Sequence, residues 1–216
     1  MPRLEIDLYV ILDRAASRGR DLREILDGVI RGGGRIVQFR EKEWPSRQCL
    51  PLVEDLRARA KRAGVTFVVN DRLDLALAVE ADGFHVGQDD LPAPLARRSL
   101  PPSMFLGVST HSLAEARQAQ EDGADYIAVG SIFPTATKPE SQLVGLDLLR
   151  AARRAVTAPL LAIGGITVDN APDVIRAGAD GVAVIGAVCA AHDPAQVTRL
   201  LLEGIRTSLT ERVKRL

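Results

Sequence analysis

The sequence predicts a single-domain α/β protein, a (β/α)8 barrel of the TIM type over residues 1–216. Three observations predict it. Short apolar runs alternate with helical patterns from end to end. There are eight such runs, each about four to seven residues long and apolar on both faces, as parallel strands covered on both sides are. A small unit also recurs in "EADGFHVG", "DGADYIAVG" and "AGADGVAVIG": Ala-Asp, an apolar run, then glycine. Such repetition means βα units. Eight units in so short a chain favour closure into a barrel. A doubly wound open sheet is the alternative, but no G-x-G-x-x-G follows the first run.

The first strand is "DLYVIL", which offers little chemistry beyond Asp13 at its end. The second lies in "GRIVQFREK", Gly34 to Lys42. Ile36, Val37 and Phe39 make it a buried strand, yet alternation puts Gln38, Arg40 and Lys42 on one face. The helix after it, "SRQCLPLVEDLRARAKRAG", carries an apolar stripe of Leu52, Val53, Leu56 and Ala60 and stops at Gly64. Strand 3, "VTFVVN", runs into Asn70 and Asp71; strand 4, "GFHVG", runs into "QDD", with Asp89 and Asp90. Strand 5, "MFLGVS", ends at Ser109, and Ser112 with Glu115 forms a capping box for the next helix. Strand 6, "DYIAVG", is followed by a long connection, "SIFPTATKP", with Thr135, Ala136, Thr137 and Lys138. Strand 7, "PLLAIGG", ends in Gly164 and Gly165, and strand 8, "GVAVIG", in Ile185 and Gly186.

The C-terminal ends of barrel strands build the active-site face. Arg40, Lys42 and Lys138 suit a highly charged anion such as a diphosphate, Arg as a planar fork and Lys as a point charge. Asp71 and Asp90, at the ends of neighbouring strands, suit Mg²⁺, which is held by one or two carboxylates plus substrate phosphate oxygens. Glycines after strands 7 and 8 let backbone N–H groups approach a second phosphate. Each feature also has a plainer reading: Asn-Asp as turn chemistry, Gly-Gly as a loop, Arg40 and Lys42 as a solvated rim paired with Glu41 or Glu43. His85, inside an apolar strand, reads as a hydrogen-bonded core residue. His111 reads as part of a helix entry, Trp44 as rim packing, and Cys189 as a small core residue. The coincidence at seven strand ends favours one task, binding two phosphorylated species with a divalent metal.

Composition narrows the classes. Lys plus Arg and Asp plus Glu number 28 each, so no basic field points to nucleic acid. No apolar run is long enough to cross a membrane, and the start "MPRLEIDLYVILDR" lacks the pattern of a signal peptide. Two cysteines, Cys49 and Cys189, make no disulfide framework, so the expected compartment is a reducing cytoplasm. The three histidines are scattered, which argues against a zinc site.

The chain resembles the thiamine-phosphate synthase family. The resemblance runs from "LYVILDR" to "VIGAV" through "QFREK", "VNDRLDLALAVEADGFHVGQDDLP", "LGVSTHSLAEA", "GADYIAVGSIFPTATKP", "IGGI" and "VIGA". It implies a TIM-barrel transferase joining 4-amino-2-methyl-5-hydroxymethylpyrimidine diphosphate to the phosphate of 4-methyl-5-hydroxyethylthiazole. The products are thiamine phosphate and pyrophosphate, with Mg²⁺ as cofactor. The resemblance implies that Gln38, Phe39, Arg40, Glu41 and Lys42 hold the pyrimidine substrate and its diphosphate, with Asn70 on the same substrate. Asp71 and Asp90 bind Mg²⁺, and Ser109 and Lys138 complete the diphosphate pocket. Thr135, Ala136 and Thr137 meet the thiazole phosphate, with Gly165, Ile185 and Gly186 giving backbone contacts. Arg40, Lys42, Ser109 and Lys138 carry catalysis in this reading. Ser131 stands where the family commonly has proline.

Overall fold

The computed structural model describes residues 6–135 and 142–214. Eight parallel strands close on themselves in sequence order, β8 pairing back to β1. They are β1 Leu8–Asp13, β2 Ile36–Arg40, β3 Thr66–Asn70, β4 Gly83–Val86, β5 Phe105–Thr110, β6 Tyr126–Val129, β7 Leu160–Ile163 and β8 Gly181–Val184. All eight predicted strands are present. Between them lie α1 Leu22–Arg31, α2 Ser46–Arg62, α3 Leu73–Ala78, α4 Ala93–Ser99, α5 Leu113–Glu121, α6 Gly145–Ala155 and α7 Ala171–Arg176. The short α8 Gly186–Cys189 and the long α9 Pro194–Val213 follow β8. Among the described residues no helix is long and apolar enough to cross a membrane.

Alternation along the strands sorts the core into two compartments. Tyr9, Ile11, Ile36, Val68, Tyr126, Ala128, Leu161 and Ala183 fill the barrel interior. Their sequence neighbours, such as Val10, Val37, Phe67 and Ile127, point outward and pack under the helices. Both faces of each strand are thereby removed from water, which is why the runs read as continuously apolar. The α2 stripe is Cys49, Val53, Leu56 and Ala60, with Leu52 only half-buried. The predicted stripe is therefore shifted toward Cys49, because 49, 53, 56 and 60 keep the i, i+4, i+7 spacing of one helix face. Ser112 caps α5 by accepting from Glu115 N at 3.2 Å. The Glu115 carboxylate accepts not from Ser112 but from His111 N at 2.7 Å, one residue earlier than the standard box.

The Ala-Asp repeat has a physical reason at the end of the barrel away from the mouth. Asp82 accepts from Phe67 N at 2.8 Å, Asp125 from Leu106 N at 2.7 Å and Asp180 from Leu160 N at 2.9 Å. In each case the carboxylate accepts from the first or second residue of the preceding strand. Each carboxylate also pairs with an arginine of the helix leading into its neighbourhood: Arg57 on α2, Arg97 on α4 and Arg153 on α6. One aspartate thus ties two strands and a helix together, and the device recurs every second strand. The residue before Ala-Asp takes a left-handed φ each time, Gly123 at 84°, Gly178 at 117° and Glu80 at 49°. Glycine adopts that conformation freely, whereas Glu80 holds it at a cost of about 1 kcal/mol.

Candidate active site

At the C-terminal ends of the strands lies a cavity of about 480 Å³. The β2 face answers for its floor and one wall. Ile36, Gln38 and Arg40 point inward by alternation, and Lys42 continues that face just past the strand. Gln38 is buried, while Arg40 and Lys42 rise to the rim.

Arg40 and Lys42 each have a carboxylate partner from a neighbouring strand. Arg40 Nη1 pairs with Asp13 Oδ2, which stands opposite it in the β1–β2 register. Asp13 is itself buried and also accepts from Ala16 N at 2.9 Å. Lys42 Nζ pairs with Asp71 and lies 3.8 Å from Asp90 Oδ1. Asp71 has a left-handed φ of 59°, a conformation asparagine and aspartate tolerate, and it turns the carboxylate over the cavity. Asp90 is steadied by Gly87 N, which donates to its Oδ2 at 2.8 Å.

Two carboxylates and one ammonium crowd this corner. Burial, with the adjacent Asp90 carboxyl, pushes Asp71 up to about 6. Burial also acts to raise Asp90, but hydrogen bonds from Asp71 and Gly87 N, with the Lys42 charge, outweigh it and leave Asp90 below the ordinary range. The pair shares its negative charge unequally, as close carboxylates do. An added divalent cation would relieve that repulsion. The donor set, two carboxylates beside an open cavity, fits Mg²⁺ completed by substrate oxygens and water. Among the described residues no group of three or more His, Cys, Asp or Glu is placed to hold a metal unaided.

The cavity brings together Gln38, Arg40, Lys42, Asn70, Asp71, Asp90, Ser109, Thr135, Gly165, Ile185 and Gly186, all expected there. Ala136, Thr137 and Lys138 lie outside the described residues. Phe39 and Glu41 are not brought into the cavity. The Phe39 side chain points outward into the helix layer, since odd positions of β2 face away from the interior. Glu41 turns the same way, pairing with Arg14 and accepting from Glu43 N and Trp44 N. Both side chains therefore face away from the cavity.

Trp44 packs on the rim with the Arg14 guanidinium 4.7 Å over its ring, and buried Cys189 places Sγ 3.2 Å from Ile11 O, as expected. Gly164 and Gly165, with φ of 102° and 62°, make the close approach of the β7 loop to residues 131–134: a Cβ on Gly165 would lie 2.4 Å from Pro134 O. His85 is buried among hydrogen bonds as expected, and burial pushes it down to about 4, so it is neutral. It also lines the cavity, as does His111, whose Nδ1 is 2.6 Å from Gly130 O. In the sequence strand 1 offers only Asp13, and its pairing with Arg40 is what the structure adds. The available signal was that strands 1 and 2 end in opposite charges.

Comparison with known proteins places these features in a family. Residues 8–188 match the model of a family described as thiamine monophosphate synthase. The chain is 54% identical over 195 residues to a thiamine-phosphate synthase of Chloroflexus aurantiacus, covering 90% of each chain. It is 52% identical over 198 residues to one of Moorella thermoacetica, covering 91% of this chain and 94% of the relative. A solved structure of a thiamine phosphate pyrophosphorylase from Pyrococcus furiosus superposes with a TM-score of 0.88 at 38% identity, covering 96% of this chain and 98% of that one.

Proposed function

Because this chain belongs to the thiamine monophosphate synthase family, a family of transferases, we propose that it joins an aminopyrimidine diphosphate to a thiazole phosphate. The products are thiamine phosphate and pyrophosphate. The observation that supports this most directly is the rim: the cations Arg40 and Lys42, with Asp71 and Asp90 beside Lys42, stand around one cavity above a buried amide, Gln38. A site that accepts a diphosphate needs fixed positive charge, and one that accepts a flat polar ring needs an oriented amide.

In this reading the carbon–oxygen bond between the pyrimidine methylene and the diphosphate breaks first. The bonding pair leaves with pyrophosphate, and the aminopyrimidine ring stabilises the methylene cation. The thiazole nitrogen lone pair then forms the new carbon–nitrogen bond. No proton leaves that nitrogen, so no general base is required for the step. Arg40 and Lys42 stabilise charge building on the departing diphosphate, and Ser109 donates a hydrogen bond to it. Lys138 adds a third cation. Asp71 and Asp90 would hold Mg²⁺, which when bound neutralises diphosphate charge and favours its departure. Thr135, Ala136 and Thr137, with Gly165, Ile185 and Gly186, receive the thiazole phosphate. Neutral His85 is not asked to move a proton.

The test is an assay of purified protein with both substrates and either Mg²⁺ or EDTA, reading thiamine phosphate by its fluorescent oxidation product. Product that needs both substrates and metal is expected. A folded protein that binds neither substrate and makes no product would overturn the proposal.

A further inference from the structure

A chain of four hydrogen bonds crosses the barrel interior beneath the cavity. Gln38 Nε2 donates to the Tyr9 phenol oxygen at 3.0 Å. The Tyr9 and Tyr126 hydroxyl oxygens are 2.8 Å apart. The Tyr126 oxygen is 3.0 Å from His85 Nδ1, and His85 Nε2 is 2.8 Å from Ser109 Oγ. The five residues come from β2, β1, β6, β4 and β5. Tyr9 and Tyr126 are sealed from solvent, so their hydroxyls depend on one another. Space for the central contact is cleared by Gly107 on β5. A Cβ there would fall 2.3 Å from the Tyr126 oxygen and 2.5 Å from His85 Nδ1, on the hydrogen bond itself.

Counting hydrogens gives the chain a direction. Each phenol has one hydrogen to donate. With Gln38 donating into the chain, Tyr9 donates to Tyr126 and Tyr126 to His85 Nδ1. The imidazole must then carry its hydrogen on Nε2 and donate to Ser109 Oγ. Ser109 accepts, and keeps its own hydrogen for the cavity. Consider instead the other tautomer, His85 protonated on Nδ1 and not on Nε2. Tyr126 then donates to Tyr9, and the Tyr9 hydrogen has no acceptor among its contacts unless the Gln38 amide turns over. The two ends are therefore one variable. A Gln38 that offers its carbonyl to the cavity goes with a Ser109 that donates. A Gln38 that offers its amino group goes with a Ser109 spent on His85.

We infer that Tyr9, Tyr126 and His85 form a directional relay that couples ring recognition at Gln38 to anion recognition at Ser109. A ligand whose exocyclic amino group bonds the Gln38 carbonyl holds the relay in the direction that leaves Ser109 a donor to a diphosphate oxygen. The three are positioning residues acting through Gln38 and Ser109, and the inference rests on the substrate reading above.

Two measurements test it. The first is ¹⁵N NMR of histidine-labelled wild-type protein, alone and with inorganic pyrophosphate. The expected result is one His85 tautomer, protonated at Nε2 and not at Nδ1, in both samples. A ring protonated at Nδ1, or at both nitrogens, overturns the direction. This readout does not depend on turnover, so it stands even if no thiamine phosphate forms. The second compares Tyr126→Phe, Ser109→Ala and the double variant in the synthase assay. Tyr126→Phe is expected to cut kcat about tenfold, with KM for the diphosphate substrate nearly unchanged. Ser109→Ala should then cost much less in the Tyr126→Phe background than in wild type. Independent, additive losses would show that Tyr126 does not act through Ser109. Should Tyr126→Phe melt far below wild type, Tyr9→Phe breaks the same chain one step earlier and replaces it.

Discussion

Asp13 and Arg40 stand opposite each other in the β1–β2 register, and their side chains close an ion pair at the rim of the cavity. Asp13 is only 2% exposed, so its charge is held largely by this pair and by Ala16 N. The pairing fixes the direction in which the Arg40 guanidinium presents its remaining N–H groups. Asp13→Asn is expected to lower stability by about 2 kcal/mol, since it strips a half-buried cation of its partner. It should also raise KM for the diphosphate substrate several-fold. Thermal unfolding and steady-state kinetics on one preparation check both, and an unchanged KM would separate Arg40 from substrate binding.

Lys138→Ala should reduce turnover about 10²–10³-fold, the loss expected when one preorganised donor to a developing anion is removed. The far-UV spectrum and melting temperature should match wild type. Turnover near the wild-type level would take Lys138 out of the mechanism.

Asp71 and Asp90 share Lys42 and lie together at one corner of the mouth. Asp71→Ala is expected to shift the Mg²⁺ titration of activity to roughly tenfold higher concentration, the loss typical of one ligand contact. A titration curve that superposes on wild type would count against Asp71 as a ligand.

Glu41 supplies a pH-dependent contribution to stability. Burial alone would raise its carboxyl, but hydrogen bonds from Arg14, Glu43 N and Trp44 N outweigh it and hold the group below its ordinary value. A depressed folded value means the contribution is present above the unfolded pKa and is lost as pH falls through the folded one. Glu41→Gln should therefore destabilise by about 1 kcal/mol at pH 7, discounted for the solvent exposure of Arg14. Denaturant midpoints should converge with wild type as pH falls through the folded value of Glu41, where both chains come to carry a neutral group. A constant gap across that range would assign the effect to packing instead.

Asp125 tests the repeat. Asp125→Ala leaves Leu106 N and Arg97 without their shared acceptor and should cost about 2 kcal/mol. It lies at the end of the barrel away from the mouth, so kinetic constants at a temperature where the variant is folded should equal those of wild type. Altered kinetics at full folding would mean that this end of the barrel communicates with the site.

Much of the molecule was readable in one dimension. Every strand is an apolar run bounded by turn residues, and each run is short enough to be told from a helix. The face of β2 that carries Gln38, Arg40 and Lys42 follows from a period of two, so the inward set was legible as well. The same rule, applied strictly, turns Phe39 and Glu41 away; the family motif "QFREK" carries all five residues without regard to face. The roles of Asp13 and Tyr126 were not legible for a different reason: each looks ordinary within its own strand.

Local chemistry in the chain thus determined the eight-unit barrel, the end at which polar groups collect, and the residue types that suit an anion and a cation there. Which groups meet was decided by closure of the sheet. Strand stagger sets Asp13 beside Arg40, Lys42 between Asp71 and Asp90, and Tyr126 between Tyr9 and His85, with Gly107 yielding the space. Those pairs are separated by 27 to 117 residues along the chain. No periodicity reaches that far; only the register of eight paired strands brings such residues within hydrogen-bond distance.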